Sequence, residues 1–90
     1  MKLRYEFIIT EIGDDMVAVP TGDGADQFHG TVRLNSAAAE AFELIQEDTT
    51  PMAVHEELLR RHPEADRNEV GHALADFLNK LIQEGLLITD

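Results

Sequence analysis

The sequence predicts an α+β domain in which a small antiparallel sheet precedes a cluster of three helices. Three observations carry this. Apolar residues alternate with a period of two through much of the chain before Asn35. Helical periodicity takes over after Asn35. The connections between the early apolar runs are too short for parallel crossovers.

Leu3, Tyr5, Phe7 and Ile9 alternate with Arg4, Glu6, Ile8 and Thr10, the pattern of a half-buried strand. Gly13-Asp14-Asp15 supplies turn chemistry. Met16 to Val19 is a second short apolar strand, ended by Pro20, which has no N–H for a ladder. Thr21 to Gln27 is a connection, polar except for Ala25. Phe28, Gly30, Val32 and Leu34 then alternate with His29, Thr31 and Arg33, giving a third strand. Consecutive strands joined this closely pair as a meander, which leaves the third strand at an edge.

Asn35 or Ser36 caps a helix running to about Gln46, with Ala39, Phe42, Leu44 and Ile45 inward. Glu47-Asp48-Thr49 breaks it. Thr50 caps a second helix with Pro51 at its first position, where the missing N–H matters least. Val54, Leu58 and Leu59 form its buried side, Arg60, Arg61 and His62 suit its negative end, and Pro63 stops it. The last helix has the strongest signal. Val70, Ala73, Leu74, Phe77, Leu78, Leu81 and Ile82 recur at helical spacing and form one apolar stripe. Asp66 can cap this helix, with Glu69 reaching back as in a capping box, and Gly85 suits the residue past its end. At about 1.5–3 kcal/mol for each well-buried stripe residue, this helix supplies the largest apolar contribution in the chain. Leu86-Leu87-Ile88 is a short tail that packs back onto the bundle. Strands thus occupy residues 3–34 and helices 35–84, within one domain over 1–90.

The composition narrows the function. There is no cysteine, which removes disulfides, thiolate metal sites and thiol nucleophiles. No apolar run approaches the length of a membrane span, and the first residues do not read as a signal peptide, so a soluble cytoplasmic protein is expected. The net charge is −11, and residues after Asn35 hold most of it, with +4 and −12 against +3 and −6 before. Such a field disfavours nucleic acid and anionic membranes and favours a basic peptide or protein partner. The element order is that of a winged helix-turn-helix. A reading helix needs basic support, however, and the last helix sets only Arg67 and Lys80 against Asp66, Glu69, Asp76 and Glu84. His29, His55, His62 and His72 are scattered and match no metal or nucleophile motif. No catalytic residue, metal or cofactor is expected.

Leu34-Asn35 leads into a helix bearing Phe42-Glu43-Leu44-Ile45; Thr50 precedes a second helix holding Leu58-Leu59; Phe77-Leu78-Asn79-Lys80-Leu81 runs to Gly85-Leu86-Leu87. In this order the pieces resemble the PqqD family, peptide-binding modules also called RiPP recognition elements. The strand-rich start, YEFIITEIGDDMVAVP, is similar to one branch of that family. Glu47-Asp48-Thr49 departs from the acidic-glycine turn of many members. The resemblance implies a non-catalytic chaperone. Such a module holds the leader of a ribosomally made precursor peptide and presents it to a modifying enzyme, often of the radical S-adenosylmethionine class. It further implies that the peptide adds as a strand beside the third strand and against the last helix. The residues concerned would be His29, Gly30, Thr31, Val32, Arg33 and Leu34, with Val70, Ala73, Leu74, Phe77 and Leu81.

The residues support this independently, because an edge strand offers unpaired N–H and C=O groups to an extended peptide. Gly30, Val32 and Leu34 share one hydrogen-bonding side, and Thr31 and Arg33 the other. Burial fixes the side chains and leaves open which set faces outward. The rival expectation is a docking or dimerisation module derived from a winged helix, with no peptide substrate. The same edge would also let the chain pair with itself as a weak homodimer.

Overall fold

The computed structural model describes residues 1–22 and 30–89. Most of the Thr21–Gln27 connection, and Phe28 and His29 of the third strand, lie outside the described residues. In chain order the elements are β1 (Lys2–Leu3), β2 (Phe7–Ile12), β3 (Asp15–Pro20), β4 (Val32–Leu34), α1 (Ser36–Leu44), α2 (Pro51–Arg61), α3 (Arg67–Gln83) and β5 (Leu87–Ile88). β2, β3 and β4 form an antiparallel meander in sequence order, and three helices follow it.

The continuous strand expected from Leu3 to Ile9 is broken into β1 and β2. The tail after α3 captures the first piece. Lys2 pairs with Ile88 and Leu3 with Leu87, while the Arg4 N–H donates to the Leu86 carbonyl at 2.8 Å. The alternation survives the bend because Leu3 and Phe7 both enter the same core. The third strand is also shorter than expected among the described residues, since only Val32–Leu34 joins the ladder.

Each helix starts on a side-chain cap. The Asn35 carboxamide oxygen accepts from the Ala38 N–H at 2.8 Å, the Thr50 hydroxyl from Ala53 at 3.1 Å, and the Asp66 carboxylate from Glu69 at 3.0 Å. The capping box closes only halfway, because the Glu69 side chain makes no hydrogen bond among the described residues. α1 ends at Leu44, two residues short of the expected Gln46. α3 ends in a Schellman motif. The Gly85 N–H (φ 75°) reaches the Ile82 carbonyl, and the Leu86 N–H reaches that of Leu81 at 2.9 Å. That motif turns Leu86 onto Leu81, and both are fully buried.

Phe42 of α1 is the hub of the core. Its ring meets Phe7 edge-on, with centroids 5.1 Å apart, and Phe77 of α3 at 6.4 Å, so one aromatic line joins sheet, first helix and last helix. Only Leu74, Leu78 and Leu81 of the seven-residue stripe are buried. Val70 and Phe77 are half-buried, and Ala73 and Ile82 are exposed. Three full burials give α3 roughly 5–9 kcal/mol of apolar stabilisation, and the remaining stripe is surface. Leu44 and Leu59, expected inward, are likewise half-buried.

Candidate functional site

The register of the sheet determines what its edge offers. Ile12 pairs with Asp15 across the two-residue turn Gly13-Asp14, and Gly13 has φ 63°, as the first central position of a type II′ turn requires. Residues flanking such a turn bond to each other. Alternation along the ladder then makes Thr10–Val17 and Ile8–Val19 the other hydrogen-bonded pairs of β2 and β3. Asp15, Val17 and Val19 therefore direct their N–H and C=O groups to β2. Met16 and Ala18 direct theirs to β4, where they meet Leu34 and Val32.

Arg33, opposite Val17, is left with its N–H and C=O turned to the outer edge. No strand among the described residues pairs there. The side chains follow the same alternation. Val32 and Leu34 are buried, whereas the exposed Arg33 guanidinium lies on the outer face and bonds the Asp15 carboxylate at 2.7 Å.

Beyond β4 the chain enters α1, and between α1 and α3 lies an apolar groove of about 350 Å³. Asn35, Ala37, Ala38 and Ala41 form one wall. Glu69, Val70, Ala73, Leu74 and Phe77 form the other, and Leu58 contributes from α2. The groove exists because four of these positions are alanines, whose methyl groups leave the two helix surfaces unfilled. Phe77 cannot sink further, since its ring already rests against Phe42.

The expected site residues are thus partly brought together. Val70, Ala73, Leu74 and Phe77 line one groove, and β4 meets it through Asn35. Val32 and Leu34 present backbone to β3 and side chains to the core. Gly30 and Thr31 are exposed and precede the ladder. Leu81 is fully buried in the same core as Leu86 and takes no part in the groove. His29 lies outside the described residues. The alanine wall of α1 was not among the expected residues. Its signal was the small-residue run Ala37-Ala38-Ala39 with Ala41, which lacks the bulk a second core face would need.

Most of the charges on α2 are paired. Arg60 and Arg61 both grip Glu57, Arg61 also reaches Glu40 at 3.5 Å, and Arg67 holds Glu56 at 2.9 Å. Two hydrogen-bonded guanidiniums lower the Glu57 carboxyl to about 2, and Arg67 lowers Glu56 in the same way. Glu69 and Asp76, one on the groove wall and one two turns along, have no ion-pair partner among the described residues.

Two histidines act as ties between helices. His55 Nε2 is 3.0 Å from the Arg67 carbonyl, over Gly71, and His62 Nε2 is 2.7 Å from Glu40. Among the described residues no three acidic or histidine side chains converge as a metal site, and no helix is long and apolar enough to cross a membrane.

Comparison with known proteins gives three matches. The family described as Coenzyme PQQ synthesis protein D (PqqD) matches residues 16–87. The solved structure of TbiB1 in complex with the TbiA(beta) leader peptide is similar over all of both chains, with 23% identity and a TM-score of 0.70. A lasso peptide synthetase B1 complexed with the leader peptide is similar over 98% of this chain and 96% of its own, with 20% identity and a TM-score of 0.65. No curated protein matches. At these identities the two structures share the fold.

Proposed function

Because the chain belongs to the PqqD family, we propose that it is a non-catalytic carrier for the leader of a ribosomally made precursor peptide. The leader adds as a strand to the outer edge of β4 and lays side chains into the groove between α1 and α3. The loaded protein then presents the rest of the precursor to a modifying enzyme of the radical S-adenosylmethionine class.

One observation carries this reading: the backbone of Arg33, unpaired among the described residues, sits at the end of a sheet that leads directly into an apolar groove. A strand at that edge gains backbone hydrogen bonds, and every second side chain reaches apolar surface. Those are the two contributions a short extended peptide needs to overcome its ordering entropy. That TbiB1 and the lasso synthetase B1, which share this fold, were each solved with a leader peptide supports the same use of it. The role asked of the protein is positioning, so it requires no reactive side chain.

Leader peptides encoded beside the gene, titrated against the labelled protein, should bind saturably at one per chain. Filling the groove by Ala73→Phe should abolish that binding while the fold survives. Saturable binding that ignores both the groove and the β4 edge would refute the reading.

A further inference from the structure

The groove is not uniformly apolar, and its one charge among the described residues points to a feature of the ligand. Glu69 stands in the first turn of α3, on the groove wall beside Val70 and one turn before Ala73. Its N–H is held by the Asp66 cap, but its carboxylate has no partner among the described residues. Arg67, two residues before it on the same helix, is already engaged by Glu56. The whole chain adds a field of net charge −11.

We infer that the groove selects a leader segment in which a bulky apolar residue is followed or preceded, two positions away, by lysine or arginine that pairs with Glu69. This rests on the strand-addition reading above. Residues two apart on a strand lie on the same face, about 6.6–6.8 Å apart. One turn of α3, from Ala73 to Glu69, rises about 6 Å. A strand laid along α3 therefore sets one inward side chain against Ala73 and Phe77 and the next against Glu69. An apolar residue suits the first place. At the second, a basic side chain can rest its methylene stem on Val70 and bring its charge to the carboxylate. An acidic residue there would meet an unpaired like charge.

The ligand residues that hydrogen-bond to Arg33 point to the outer face, so the selection falls on alternate positions only. That separates it from a general preference for basic peptides. A field effect would enrich lysine and arginine at every position, whereas Glu69 would enrich them at one.

A displayed library of random twelve-residue peptides, selected separately on the wild-type protein and on Glu69→Lys, tests this. Wild-type selection should enrich an apolar residue with lysine or arginine two positions away. The Glu69→Lys selection should keep the apolar residue and replace its companion by aspartate or glutamate. A synthetic peptide from the first pool should bind wild type about two- to fivefold tighter than Glu69→Gln at low salt. Glu69→Gln guards against misfolding of the charge-reversed variant, which circular dichroism would reveal.

Alternating apolar patterns with identical charge preferences in both selections would overturn the inference and leave strand addition standing. If no alternating pattern is enriched on either protein, the inference and the reading it rests on fall together.

Discussion

The parity of β4 can be tested one backbone amide at a time. The hairpin register turns the Arg33 N–H outward and the Val32 N–H toward Ala18. A single N-methyl group at either position replaces a donor with bulk and leaves both side chains unchanged. The chain can be assembled from two segments joined at Ala37-Ala38, using a temporary cysteine desulfurised to alanine. At Val32 the methyl group enters the β3–β4 ladder. Losing one bond there costs about 0.5–1.5 kcal/mol, and prying the strands apart adds to it, so the urea midpoint should fall clearly. At Arg33 the methyl group meets no paired strand among the described residues, and the midpoint should stay near that of the parent. Leader affinity should respond in the opposite order. The Arg33 variant loses at least one bond to the added strand, about a two- to twelvefold weakening. Equal effects of the two variants on stability would refute the register argument. An unaffected affinity in a folded Arg33 variant would remove β4 from the binding site.

Other outcomes follow from burial and charge. Leu81→Ala should destabilise by about 2–5 kcal/mol, because Leu81 is fully buried, yet the folded fraction should bind leader normally. Phe77→Ala should cost less stability, since the ring is half-buried, and should weaken binding more than any other single truncation in α3; both are read by urea melts and titration. Ala73→Phe places an exposed ring across the groove, so thermal stability should change little while leader binding is lost. The Arg60 and Arg61 guanidiniums depress the Glu57 carboxyl to about 2. Its contribution to stability is therefore complete above the ordinary glutamate range near 4.5 and lost as pH falls toward 2. Glu57→Gln should flatten that part of the acid limb of a stability–pH profile.

Local chemistry made much of the fold legible. Asn35, Thr50 and Asp66 cap where their side chains predict, and Gly85 ends α3 in the conformation that only its missing Cβ makes cheap. Two features left no local trace. The break after Leu3 has the same alternation as a straight strand, and it is long-range bonds, to Leu87 and Ile88 and to the Ile45 and Leu86 carbonyls, that hold the first piece apart. The capping box at Asp66 has the right spacing, yet the Glu69 carboxylate has no partner among the described residues. The geometry of the candidate site was legible to the same depth. The edge and the α3 face followed from topology and periodicity. Periodicity marks every stripe residue as apolar, however, and gives no means of separating Leu81 from Ala73. That separation depends on what packs opposite.

What packs opposite α3 also explains why one helix can serve both core and surface. Its stripe is broader than the α1 and α2 surfaces can cover. The central row, Leu74, Leu78 and Leu81, is taken into the core, and Val70, Ala73 and Phe77 are left along one flank. A neighbour of ordinary bulk would close over that flank. Instead α1 presents Ala37, Ala38 and Ala41, while Phe42 in the same helix reaches past them to hold Phe77. The aromatic line Phe7–Phe42–Phe77 keeps the helices fixed, and the alanines keep them from meeting. A groove held open in this way needs no rearrangement to accept a side chain, so the apolar contacts a ligand makes there are not offset by reordering of the protein. The cost is apolar surface exposed in the free chain, and the surrounding net charge of −11 opposes its burial against a second copy.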